Sequence, residues 1–187
     1  MSQRTGWQRI ARRIRVPLGF VFAAVFLWLA RPSCTTLLAS LALVAPGVWL
    51  RAYAAGYVRK NAELTRTGPY AYTRNPLYLG SMMIAFGFAG AARSAAILVV
   101  LALLFAVIYI PTILSEESYL REHFPGFDEY AAAVPRLLPR LTPAATGQTA
   151  GAFSRERYLK HREYNAGIGA LAIYLALALK WVLAHHR

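Results

Sequence analysis

Residues 94–115 read SAAILVVLALLFAVIYIPTILS, a strongly aliphatic run without one charged side chain. A helix needs about 20 mainly apolar residues to cross the hydrocarbon core of a bilayer, and this stretch meets that length. It is one of five such blocks. Val16–Ala30 is uncharged and short. Pro32–Leu50 is uncharged and continues past Arg51 to Val58. Asn75–Ala92 is uncharged and marginal in length, and Tyr164–Ala184 is broken only by Lys180. Pro32 supplies a turn that would pair the first block with the second as a hairpin. The fold expected is an all-α integral membrane bundle of about five transmembrane helices.

The bulk numbers agree with the blocks. The chain of 187 residues is 57% hydrophobic and only 16% charged, where soluble domains carry about 25% charged residues. Its net charge of +13 would suggest nucleic acid in a soluble protein. Here the cations fall in alternate loops: Arg4–Arg15 before the first block, Arg59, Lys60, Arg66 and Arg74 between the second and third, and Arg121–Arg162 between the fourth and fifth. The positive-inside rule accounts for that distribution. It predicts a cytoplasmic N-terminus, no nucleic-acid partner, and attraction to anionic lipid headgroups. Arg51 and Lys180 lie close enough to the ends of apolar blocks to snorkel. The first block has a basic flank like a leader's, but Ala30-Arg31-Pro32 is a poor cleavage site, so it reads as a retained anchor. The single Cys34 forms no intrachain disulfide and reads as a packed thiol.

The chain reads as one membrane domain, with N-terminal spans over 1–58, a core over 59–140, and an interfacial segment and last span over 141–187. Two loops carry most of the polar chemistry. The first holds RTGPYAYTRNPLYLG at residues 66–80. Pro76 fits the first turn of a helix, and Asn75 before it fits the N-cap. Tyr70, Tyr72, Arg74 and Tyr78 are left over, either as interfacial anchors or as a ligand site. Gly80, Gly87 and Gly90 follow, read chiefly as close helix packing. The second loop begins with Glu116-Glu117. Carboxylates at membrane depth are functional candidates; the alternative is a pair neutralised by Arg74 or Arg121. Glu116–Phe124 should prolong the fourth span, Pro125-Gly126 should break it, and Phe127–Val134 should add a turn or two of helix. Pro135, Pro139 and Pro143 impose an extended path. Phe124, Phe127 and Tyr130 would dock onto the membrane or cover a ligand. Phe153–Glu163 reads as an interfacial helix. His123, His161, His185 and His186 show no metal-ligand spacing, so no metal site is expected.

GPYAYTRNPLYLG, a helical hairpin, and then EESYLREHFPGFDEYAAAVPRLLP resembles the C-terminal core of the isoprenylcysteine carboxyl methyltransferases, which belong to a wider group that includes the phospholipid N-methyltransferases. The resemblance spans about residues 60–140. It implies S-adenosylmethionine held in a cap at the cytoplasmic face and a lipid-like or prenylated acceptor arriving from the bilayer. It places cofactor contacts on Leu64, Thr65, Tyr70, Asn75, Pro76, Leu77 and Tyr78, the last four matching the family's His-Pro-x-Tyr, and on Glu116. Two positions depart from the family pattern. Asn75 stands for its histidine, so Arg74 is expected to supply charge toward the cofactor's carboxylate. Thr112 stands where prenylcysteine enzymes carry a substrate-binding arginine. A carboxylate acceptor would need no general base, whereas an amine would need one, for which Glu117 is the candidate. Transfer to a carboxylate is the first expectation, transfer to a phospholipid amine the second, and a non-catalytic membrane scaffold the alternative of another class.

Overall fold

A computed structural model describes residues 22–59, 62–145 and 151–185. Among them there are helices and loops and no strand. Residues 22–29 form α1; the rest of the first apolar block lies outside the described residues. Next come α2 (Cys34–Tyr57), a 3₁₀ turn (Gly68–Ala71) and α3 (Pro76–Ala92). A continuous helix then comprises α4 (Ala95–Leu104), a π-turn (Phe105–Tyr109) and α5 (Ile110–His123). The short α6 (Phe127–Ala133) and α7 (Arg155–Lys160) precede α8 (Tyr164–His185).

Among the described residues, three helices are long and apolar enough to cross a membrane: α2, the α4–α5 helix and α8. The apolar α3 is shorter, as its sequence suggested. Large apolar side chains line the outside of these helices, among them Leu103, Val107, Leu171 and Leu179, each more than half exposed. Helices apolar on their outer face belong in lipid, and the molecule is a membrane helical bundle.

Local chemistry sets the helix ends. Ser33 and Thr36 form a capping box at the start of α2, each side chain accepting from the other's backbone N–H. Cys34, just inside this start, is exposed rather than packed. Thr36 Oγ1 donates to Ala91 O at 3.2 Å and Arg31 N–H to Ala92 O at 2.8 Å, tying the 30–33 turn to the end of α3. Arg93, at φ 51°, ends α3, and the Ser94 hydroxyl caps the next helix by accepting from Ile97 N–H. Pro111 lies within the fourth block. In a regular helix its ring would meet the carbonyl four residues back, that of Val107. The helix widens there instead, and Ile110 N–H reaches five residues back to Phe105 O.

The tightest packing joins α2 to α3. A Cβ on Gly47 would lie 2.9 Å from Gly80 O, and one on Gly87 would lie 2.7 Å from Val44 Cγ2. Glycine at these positions lets the two backbones touch, as expected of small residues in membrane helices. Gly90, read with the other two, faces open space. Phe26, Leu37, Val44, Phe88, Ile97 and Leu177 anchor the main core. The Lys180 ammonium donates to Leu27 O and to Trp28 O, the latter at 3.0 Å, where a cation complements the C-terminal end of α1.

A second, smaller core forms a cap at one end of the bundle. Leu64, Phe127, Tyr130 and Val134 are its buried members. Gly126, at φ 79°, makes the break before α6, a conformation that glycine adopts without penalty. Beyond α6 the chain runs extended beside the 70–75 loop. Arg74 N–H donates to Pro135 O, Arg140 N–H to Tyr72 O and Ala144 N–H to Ala71 O, each at 2.9 Å. The aromatic run from Phe124 therefore builds the cap, with Phe127 and Tyr130 buried in its core and Phe124 packed against it. The interfacial helix is shorter than its sequence suggested, with Ser154 capping its start and Arg162, at φ 53°, turning the chain into α8.

Candidate functional site: a cavity under the cap

Between the cap and the bundle lies a cavity of about 580 Å³, within the usual range for small-molecule sites. Leu64, Thr65, Tyr70, Arg74, Asn75, Pro76, Leu77, Tyr78, Glu116 and Glu117 all line it. The residues on which the resemblance places cofactor contacts thus border a single cavity, together with Arg74 and Glu117.

Pro76 begins α3, so Tyr78 stands in its first turn and points toward α5. Its hydroxyl donates to Glu116 Oε1 at 2.8 Å. The Tyr78 ring meets Tyr109 edge to face, with centroids 5.4 Å apart. Tyr109 closes the π-turn and also lines the cavity. The wide turn therefore aims an aromatic ring into the site, a recurrent use of π-bulges.

Four glutamates line the cavity, and their partners differ. Glu117 is buried between two guanidiniums: Oε1 accepts from Arg74 and Oε2 from Arg136, all at 3.0 Å. Glu63 pairs with Arg59 at 3.2 Å, and Glu163 with Arg51 at 2.8 Å. Glu116 makes no ion pair among the described residues and is exposed. It is the carboxylate available to a cationic ligand.

Two expectations change in detail. Asn75 occupies the N-cap position of α3 without capping it. Its amide Nδ2 donates instead to Arg136 O at 2.9 Å, because the extended chain after α6 passes directly over it. Arg74 was expected to address a ligand carboxylate. Besides Glu117, its Nη1 donates to Ala131 O at 2.6 Å and Val134 O at 3.0 Å. It joins the cap to α5. Glu117, the candidate proton acceptor, has both oxygens engaged in the same joint.

Tyr70 is buried within the 3₁₀ turn, and its carbonyl accepts from the Tyr130 hydroxyl at 2.8 Å. Burial pushes both phenols well above their ordinary range, so both stay protonated and able to donate. Leu64 anchors the cap core, and the Thr65 hydroxyl accepts from Arg59 N–H at 3.2 Å. Thr112 turns away, donating back to Ile108 O at 2.6 Å in its own helix.

Arg51, Ser81, Tyr109 and Glu163 line the cavity without having been singled out as site residues. Arg51 donates to Leu77 O at 3.2 Å, to Ser81 Oγ and to Glu163. A lone cation inside an apolar block was the available signal.

Residues 33–126 match the phospholipid methyltransferase family. The nickel-cobalt-cadmium resistance protein NccN of Alcaligenes xylosoxydans xylosoxydans is 34% identical over 139 residues, which cover 72% of this chain and 64% of that protein. The cobalt-zinc-cadmium resistance protein CzcN of Cupriavidus metallidurans is 39% identical over 95 residues, covering 51% and 43%. The chain thus spans less than two thirds of the length of either relative. No solved structure matches it. The match covers α2, the tyrosine-rich loop, α3 and the glutamate pair, which are the parts that build most of the cavity wall, and on that ground the chain belongs to the phospholipid methyltransferase family.

Proposed function

We propose that this chain is an S-adenosylmethionine-dependent membrane methyltransferase whose acceptor is an apolar molecule entering from the bilayer. The observation that carries the reading is Glu116. It is a cavity carboxylate oriented by Tyr78 and left without a cation among the described residues. When bound, the cofactor supplies a methyl group on a sulfonium, beside an ammonium and ribose hydroxyls. Glu116 would hold the ammonium or the hydroxyls, while Leu64, Tyr70, Pro76 and Leu77 would give the adenine its apolar and aromatic walls. The cavity volume suits a ligand of that size. The cap would exclude water and hold the reactants at short distance, which supplies much of the acceleration in methyl transfer.

Glu117 acts in this reading as a positioning residue, holding the cap on α5 through Arg74 and Arg136. With both its oxygens engaged there, a nucleophile that arrives ionised, such as a carboxylate, suits the site better than one that must be deprotonated. The second reading is transfer to a lipid amine, and the family's description as phospholipid methyltransferases supports a lipid acceptor. We place the cavity at the cytoplasmic face, since the loops that build it carry most of the cations.

Cofactor binding by the purified protein tests the reading, with Tyr78→Ala and Glu116→Ala beside wild type. Both variants should bind more weakly; unchanged affinity in both would reject the assignment. Labelled cofactor and total membrane extract then identify the acceptor. A base-labile product is an ester, and a base-stable one is a methylamine.

A further inference from the structure

The cavity floor carries an arginine that the proposed function leaves without a task. Arg51 leaves α2 inside an apolar stretch, and its stem crosses Gly80 of α3. A Cβ there would lie 2.7 Å from Arg51 Cγ and 2.8 Å from Gly47 O. Gly80 thus opens the passage through which the guanidinium reaches the cavity. Nη1 donates to Leu77 O at 3.2 Å and to Ser81 Oγ. Nη2 donates to Glu163 Oε2 at 2.8 Å. Nε is buried and has no hydrogen-bond partner among the described residues.

The pattern of bonds is informative. The Nε–Nη2 edge of a guanidinium matches the two oxygens of a carboxylate or phosphate, and such pairs are commonly bidentate. Here Nη2 holds one oxygen of Glu163 and the neighbouring donor is left over. Both side chains are largely withdrawn from solvent, at 22% and 14% exposure. A buried ion pair is weak evidence of stabilisation, because desolvation offsets the attraction. A buried N–H without a partner adds a further cost. The arrangement is a half-filled oxyanion fork in the wall of a cavity.

We propose that Arg51 binds the oxyanion of the methyl acceptor, a phosphate or a carboxylate on an apolar tail, and that Glu163 occupies the fork until the acceptor displaces it. This rests on the reading of the cavity as an acceptor site. The incoming oxyanion fills both Nε and Nη2, which Glu163 does not. Arg51 stays anchored through Nη1 on Leu77 and Ser81, so its edge remains aimed. Glu163 comes from the segment just before α8, so the last helix takes part in choosing the acceptor.

Isothermal titration of the full chain in detergent tests this with dihexanoyl phosphatidic acid, decanoate and inorganic phosphate, each without cofactor. Glu163→Gln removes the competing charge and should tighten binding of the preferred amphiphile by about fivefold or more. Arg51→Lys keeps a cation for Glu163 but loses the fork, and should weaken binding by about tenfold or more. Opposite signs support the proposal. A merely structural pair would lose affinity in both variants, and that outcome, or no change in either, overturns it. Preference for phosphatidic acid identifies a phospholipid source and preference for decanoate a carboxylate. Inorganic phosphate binding as tightly as the amphiphiles overturns the acceptor assignment. Cofactor affinity, measured on the same samples, should be equal in wild type and both variants. Absent cofactor binding with intact anion effects would sink the proposed function alone; normal cofactor binding with flat anion titrations would sink the Arg51 site alone.

Discussion

Tyr78 and Glu116 sit on different helices, 38 residues apart in the chain, and the phenol donates to the carboxylate at 2.8 Å. The contact needs two separate features. Pro76 sets where α3 begins, and the π-turn ending at Tyr109 sets the rotation of α5. Tyr78→Phe keeps the ring against Tyr109 and removes only the hydroxyl. Hydrogen bonds to charged groups contribute about 1.5–3 kcal/mol. Tyr78→Phe should therefore weaken cofactor binding by roughly tenfold, and Glu116→Gln by more. A double-mutant cycle on cofactor affinity should show the two coupled.

Glu117→Ala should destabilise the protein more than any other glutamate substitution in the cavity. It leaves the Arg74 guanidinium, largely buried at 11% exposure, without its carboxylate. Breaking a buried pair costs about 3–5 kcal/mol, while the Arg136 half, 50% exposed, adds little. Thermal unfolding in detergent checks this. In a Glu117→Gln variant that remains folded, the pH profile of turnover should keep its wild-type shape, as a positioning residue requires.

Gly80→Ala and Gly90→Ala should behave oppositely. The first forces a methyl group against Arg51 and the Gly47 carbonyl, and overpacking of this kind costs about 1–3 kcal/mol. The second meets nothing within 4 Å and should be neutral or stabilising by up to about 1 kcal/mol, the helix-propensity difference. Comparing the two melting temperatures separates close approach from generic helix effects.

Tyr130→Phe should loosen the cap without emptying its core. It leaves the buried Tyr70 carbonyl without its donor, at a cost of about 1–3 kcal/mol. Burial holds the Tyr130 phenol above its ordinary value of 10.0. Its contribution to stability is therefore complete below pH 10 and declines as pH rises toward its folded value. Wild type should lose stability faster than Tyr130→Phe in that alkaline range, as pH-dependent denaturation would show.

Much of the fold was readable because charge and proline mark helix boundaries locally. The aliphatic run before Glu116, the break at Pro125-Gly126 and the start at Pro76 each depend on a few adjacent residues. The tyrosine-rich loop was readable for the same reason. What stayed hidden depends on distant chain segments. Arg51 meets Glu163 across 112 residues, and no local pattern announces that partner. The engagement of Glu117 depends on Arg136, which arrives only because the extended segment lies along the 70–75 loop. The same docking diverts Asn75 from its helix end to the Arg136 carbonyl. Pro111 was visible in the sequence, yet its effect depends on whether the helix breaks, kinks or widens, and all three relieve the same clash.

That widened turn works as a phase setting. An α-helix advances about 100° per residue, and the π-turn carries one residue more than a regular turn would. The wider turn absorbs that residue, whereas deleting one from the regular helix between Tyr109 and Glu116 would swing the carboxylate by about that angle, out of reach of Tyr78. The register of one coil, set by a proline, decides whether donor and carboxylate meet at all.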